Sequence, residues 1–281
     1  MLIIETNRSF FQLVEVYYVQ KLEDVDTLKQ SLSINKILYI RQAPILLDLD
    51  RSAAWYRPFP TLLLNLRRDL GALFKEASST CRNSIHRIDR LSSRATVRRN
   101  DSTAYADFLK LQNDFVARSS YTERLSKSQI DRLRPVVDIF VAYFDGRALC
   151  GHVFIRDQNI GRVELLFSAS VRLGRGENPA FVSWMNRWLH WSEVCLYKTE
   201  GMLVYDFGGT ATDTPRRAGI AGFKQSFGGT RVVEHSYLLA RPLGRLAISM
   251  FYTMRRMRSA KSVFGASGLF EHTGWTNIRR A

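Results

Sequence analysis

The chain has 281 residues, enough for a substantial core in one large domain or two ordinary ones, and its 46% hydrophobic and 12% aromatic content excludes a disordered chain. Lys and Arg outnumber Asp and Glu by 41 to 26, a formal charge of +15 that calls for an anionic partner: a nucleic acid, an acidic membrane surface, or a phosphorylated substrate or cofactor. Cys81, Cys150 and Cys195 form no CxxC pair or Cys/His cluster of metal spacing, so reduced thiols in a cytoplasmic protein and no metal are expected. The opening MLIIETNRSFF lacks the basic start of a secretory signal, and no apolar run is long enough to cross a membrane.

In chain order, residues 1–66 look strand-rich and poor in helix signals. ILYI (37–40), ILLDL (45–49) and TLLLNL (61–66) are apolar or alternating runs punctuated by Pro44, Pro58 and Pro60. The segment 48–60 reads as a loop carrying Trp55 and Tyr56, as packing residues or as the mouth of a pocket. Residues 68–90 carry helical spacing through Leu70, Leu73, Phe74, Cys81, Ile85 and Ile88. The opposite face is basic (Lys75, Arg82, Arg87, Arg90), suited either to solvent or to gripping phosphate and carboxylate. A second amphipathic helix spans 101–118, with Asp101 or Ser102 as its N-cap, and a short helix lies around 126–134.

Three strands follow, at 137–144, 148–155 and 162–170, the first two joined as a hairpin by Asp145-Gly146. Gly174, Gly176 and Pro179 then lead into a helix whose Phe181, Trp184, Met185, Trp188 and Leu189 share a side. A glycine loop feeding a helix N-terminus is a candidate anion site. A strand at 202–207, a short helix at 215–225 and a long strand at 230–240 complete the body. The tail from Arg241 is a basic amphipathic helix over 242–258, docked on the domain, on an anionic membrane surface at its inner face, or on RNA.

Between Tyr205 and Gly229 the chain concentrates glycine, in the doublets Gly208-Gly209 and Gly228-Gly229 with Gly219 and Gly222 between them. Such a segment lets backbone turn sharply or approach a ligand closely. Asp206 either orients and deprotonates a substrate or holds its turn through backbone N–H groups. His152, His190 and His235 are alternative bases, or structural residues. No GxSxG elbow is present, and His86 and Asp89 lie too far from the Asp-Phe-Gly of 206–208 for a kinase arrangement.

Three blocks resemble a known superfamily: CRNSIHRIDR (81–90), VAYFDGRALCGHVFI (141–155), and YDFGG followed by GIAGFKQSFGG (205–229). Their order is similar to that of the GNAT-superfold acyltransferases, and within them to the FemAB-like group: Fem-type peptidyltransferases and single-domain acetyltransferases of polysaccharide biosynthesis. The resemblance implies an α/β (α+β) fold with a mostly antiparallel central sheet flanked by helices. The expected divisions are a strand-rich 1–66, an acyltransferase domain over 67–241, and a basic tail over 242–281.

The implied activity is transfer of an acyl group from acyl-CoA, acetyl-CoA included, to an amino group of a cell-envelope saccharide or peptidoglycan-type precursor. Aminoacyl-tRNA is the alternative donor, and a non-catalytic RNA- or membrane-binding module the alternative of another class. Lys224 would stabilise the oxyanion, with Asp206 beside it. Arg82, Asn83, Arg87, Arg175, Trp184, Tyr205, Gly208, Gly209, Phe223, Gly228 and Gly229 would contact substrate or donor.

Overall fold

The computed structural model describes residues 2–7, 12–30, 33, 36–47, 53–118, 127–174 and 176–240. The chain divides into two compact units, Met1–Pro60 with Val232–Ala281, and Thr61–Arg231.

In the first unit, β1 (Leu2–Asn7) pairs antiparallel with β2 (Gln12–Tyr17), and β2 lies parallel to β3 (Lys36–Ala43). A parallel pair needs a crossover, which α1 (Leu22–Gln30) supplies. This helix is a correction to the helix-poor reading. It buries Val25 among polar residues, so its apolar signal is faint, while Glu23 and Asp24 at its start and Lys29 at its end complement its dipole. Both faces of β3 are covered: Leu38 and Ile40 pack with Val14, Val16, Val25 and Leu239, and Ile37 and Tyr39 with Leu13, Trp55 and Leu238. Residues 45–47, expected to extend as a strand, are irregular.

The expected loop at 48–60 is also corrected. Its described part, Ala53–Pro60, belongs to β4 (Ala53–Asn65). Trp55 is a core residue set edge-on to Tyr39, and Tyr56 stacks on His235 with its hydroxyl 3.0 Å from Nδ1. Pro58 and Pro60 argue against a strand because each lacks a donor; the pairing of β4 with β9 starts only at Thr61, past both.

In the second unit the strand order is β4-β9-β8-β7-β6-β5. β5 (Ala95–Arg99), β6 (Val137–Phe144), β7 (Arg147–Asp157) and β8 (Arg162–Ser170) form an antiparallel meander. The β6–β7 turn has φ of 51° at Asp145 and 76° at Gly146, as a two-residue hairpin of this twist requires, and Arg94 Nε donates to the Asp145 carboxylate at 2.8 Å. β8 and β9 (Val204–Gly209) are parallel, linked by the crossover helix α6 (Pro179–Thr199). The basic amphipathic segment 68–90 is two helices, α2 (Leu70–Glu76) and α3 (Ser79–Asp89), because Ser78 caps α3 by accepting from Cys81 N at 3.2 Å. α4 (Ser102–Arg118) is capped by Asp101, which accepts from Ala104 N at 2.7 Å; α5 (Lys127–Leu133) and α7 (Pro215–Gln225) follow, and β10 (Thr230–Ala240) ends the described chain. Leu64, Ile85, Ile88, Phe154, Met185, Leu189, Tyr205, Phe207 and Phe227 form the main core under α3 and α6. Among the described residues the fold is thus α/β with mostly antiparallel strands, and no helix is long and apolar enough to cross a membrane.

Candidate active site

The parallel ladder between β8 and β9 ends early. It comprises Arg162↔Val204, Val163↔Tyr205 and Glu164↔Asp206. One residue further on, β8 bulges against β7, with Phe154 opposite Leu165 but Val153 opposite Phe167. Gly208 has φ of 69°, and a Cβ there would lie 2.7 Å from the Leu165 carbonyl oxygen. Both the backbone angle and the close approach demand glycine. Gly208→Ala is therefore expected to destabilise the fold by about 1–3 kcal/mol, read as a lowered urea midpoint against wild type.

Lys224 enters this junction from the last turn of α7. Its Nζ donates to the Gly209 carbonyl at 2.8 Å, and the Gly208 backbone is beside it. The residue as a whole is half-buried, but its ammonium is desolvated, which brings its pKa down to about 8 even though Asp206 and Glu164 favour the charge. Lys224 is thus no ordinary surface lysine.

Asp206 is fully buried and both of its oxygens are engaged. Oδ1 accepts from Thr61 Oγ1 and from Gly208 N at 2.7 Å, and Oδ2 accepts from Arg162 Nη2. Of the two sequence readings, the contacts are those of a turn-holding carboxylate.

Tyr205 and Phe207 point to the other face of β9, toward α6. Tyr205, expected as a substrate contact, is wholly inaccessible. Its hydroxyl donates to Glu193 Oε2 at 2.8 Å and lies 2.7 Å from His190 Nδ1. Glu193 Oε1 is 2.8 Å from His152 Nδ1, His152 Nε2 is 2.9 Å from Asn186 Oδ1, and the two imidazoles stack with centroids 4.1 Å apart. His152, His190 and Glu193 bring three ligand-type atoms within 4.8 Å of one another, and hydrogen bonds among themselves and to Tyr205 and Asn186 occupy those atoms.

Burial, reinforced by His152, drops the His190 pKa from 6.5 to about 3, while His152 and His190 hold Glu193 below the ordinary carboxylate value despite its burial. Both folded-state values lie below their unfolded ones, so their contribution to stability is complete above about pH 6.5 and is lost on acidification. The urea midpoint is expected to fall as pH drops from 7 toward 4, and a flat midpoint over that window would contradict the network.

The other expected contacts fall elsewhere. Arg82 Nη1 donates to the Lys75 carbonyl at 2.9 Å and to that of Ala77, closing the end of α2. Arg87 stacks on Trp184 at 4.3 Å, at an open cleft of about 600 Å³ lined by Asn83, His86, Arg87, Asp89 and Arg90. Phe223 packs 5.8 Å from the His190 ring. Gly228 (φ 80°) and Gly229 (φ 89°) are turned against Glu76 and the Leu63 carbonyl, so close packing of the chain itself accounts for the second doublet. At the start of α6, Asn178 Oδ1 accepts from Ala180 N and Phe181 N, so the chain itself takes up amides of the expected anion site. Arg175 and the 242–258 helix lie outside the described residues.

Glu193, Asn186, Arg162 and Glu164 were missed by sequence reasoning. An acid within the apolar run WLHWSEVCLY was the one available signal for the first.

In the second unit a mostly antiparallel sheet is interrupted by one parallel, α6-bridged pair whose ladder stops short, with a lysine brought to its end, and this is a FemAB-like fold. Among solved structures the chain is similar to FemX, with a TM-score of 0.64, 13% identity, and 87% of this chain and 85% of that one covered. It is also similar to the C-terminal domain of a putative lysylphosphatidylglycerol synthetase from Agrobacterium fabrum (TM-score 0.55, 12% identity, 95% and 88% covered). The L-PGS of Bacillus licheniformis follows at TM-score 0.52 and 12% identity, with 90% and 84% covered. At such identities the likeness is one of fold. No protein-family model matches the sequence, and no curated protein matches it.

Proposed function

We propose that the chain is an acyltransferase that moves an acyl group from acyl-CoA to an amino group of a cell-envelope saccharide or peptidoglycan-type precursor. The observation that carries this reading is the desolvated Lys224 ammonium held at the end of the β8–β9 ladder. The acceptor nitrogen attacks the thioester carbonyl, the N–C bond forms as the C–S bond breaks, and the amine's proton ends on the departing thiolate. Negative charge grows on the carbonyl oxygen in between, and a positioned cation in a low-dielectric site stabilises it more than water does. In this reading Asp206 is a positioning residue that fixes the Gly208 turn, and Arg87 with Trp184 and Asn83 forms an outer contact for an anionic part of the ligand.

An aminoacyl-tRNA donor is the second reading, favoured by the likeness to proteins named FemX and lysylphosphatidylglycerol synthetase. Both donors are polyanions, and the charge of +15 suits either. Purified chain incubated with labelled acetyl-CoA or charged tRNA, each with amino-sugar acceptors, separates the two. Saturable product with acetyl-CoA supports the first reading. Salt-sensitive polyanion binding without product from either donor would leave an RNA- or membrane-binding module.

A further inference from the structure

We infer that His190 is a positioning residue for Lys224: its ring, oriented by Tyr205 and Glu193, holds the end of β9 and the last turn of α7 in place against each other. The inference rests on the acyltransferase reading for what Lys224 does. His190 lies on α6 and is 1% exposed. Its ring meets those of Phe207, Phe223 and Phe227, with centroids 5.2, 5.8 and 5.4 Å away. Each of these phenylalanines immediately precedes a residue of the glycine-rich segment: Gly208, Lys224 and Gly228. Phe207 leads into the turn whose Gly209 carbonyl accepts from Nζ, and Phe223 adjoins the lysine that donates. One ring therefore touches both sides of the contact that seats the ammonium.

The orientation of that ring follows from its hydrogen bonds. Glu193 is held ionised by His152 and His190, and a carboxylate only accepts. The Tyr205 hydroxyl gives its one proton to Glu193 Oε2 at 2.8 Å. His190 Nδ1, 2.7 Å from the same hydroxyl, is then the donor of its pair, which fixes both tautomer and ring plane. Burial and the neighbouring His152 keep the imidazole neutral, and Lys224 acts in the same direction.

A buried polar network of this kind costs desolvation that an apolar side chain of the same size would avoid, and what it provides in return is a single arrangement. Lys224 needs such help. Its side chain is long and flexible, and among the described residues Nζ has one hydrogen bond, so its seat depends on where Phe223 is held.

The test follows the Lys224 ammonium itself, by NMR of the full chain labelled at lysine Cε, with the signal assigned by its loss in Lys224→Ala. The wild-type signal should titrate at about 8. His190→Asn keeps a donor for Tyr205 but loses the ring, whereas His190→Phe keeps a ring but loses the donor. Both should move the midpoint up toward the ordinary 10.5 as water reaches Nζ, with the larger rise in His190→Asn. The ring is neutral at these pH values, and Asp206 and Glu164, the acids that favour the Lys224 charge, stay in place, so no change of charge mimics the rise. The turnover number should fall roughly tenfold or more with KM unchanged. Val194→Ala, which trims another buried side chain of α6, should lower the melting temperature without moving the midpoint. An unmoved midpoint in either folded His190 variant would overturn the inference, as would an equal rise in Val194→Ala. Should His190→Asn fail to fold by circular dichroism, His190→Phe decides by the same criterion. The titration needs no turnover, so failure of the acyltransferase reading alone would show as a shifted midpoint in a chain that forms no product.

Discussion

Replacing Lys224 with Ala is expected to lower the rate of acyl transfer by roughly 10²–10³-fold, the usual consequence of removing one oxyanion donor. The fold should survive, because among the described residues Nζ makes a single hydrogen bond, to the Gly209 carbonyl, and the substitution removes a desolvated charge. Steady-state transfer by wild type and Lys224→Ala, with circular dichroism to confirm folding, checks this. An unchanged rate would discard the mechanism and leave the fold assignment intact. The depressed pKa also has a stability sign. Between about pH 8 and the ordinary lysine value of 10.5 the unfolded chain holds the proton more tightly than the folded one, so the Lys224 contribution makes stability rise with pH across that window.

Asp206→Ala is expected to cost about 3–5 kcal/mol of folding stability, the range for breaking a buried ion pair by removing one partner. It takes the carboxylate from Arg162, Thr61 and the Gly208 amide together. Asp206→Asn keeps acceptors for Thr61 and Gly208 and should fall between the two. Urea unfolding of the three proteins measures the series. If Asp206→Ala is as stable as wild type and only its turnover number falls, Asp206 is acting on the substrate rather than on the turn.

Much of the second unit was legible because its signals are local. Asp145-Gly146 specifies its turn through backbone angles alone, and the short apolar runs within 137–144 and 162–170 mark strands without knowledge of neighbours. Asp101 ahead of α4 is read the same way. Where the physics is non-local, the sequence misleads. Pro58 and Pro60 look like loop residues until the register shows β4 pairing with β9 from Thr61 onward. Ser78 divides α2 from α3, yet the helical spacing of apolar residues runs across it.

The candidate site divides in the same way. The glycine doublets and the Phe223-Lys224 pair locate it, but which face each side chain takes depends on strand alternation and on what α6 brings. Tyr205 thereby goes inward to Glu193, and Asp206 to Arg162. The desolvation that distinguishes Lys224 from any other helical lysine arises only when α7 packs over β9, so no spacing rule could reveal it.

The pH dependence of transfer bears most directly on the claim that the charged Lys224 ammonium drives the reaction. At saturating donor and acceptor, the wild-type rate should fall as pH rises through about 8, where the ammonium loses its proton. Lys224→Arg, which stays charged, should lack that descent. A wild-type rate that holds level or climbs between pH 8 and 10, or an identical descent in Lys224→Arg, would contradict the account.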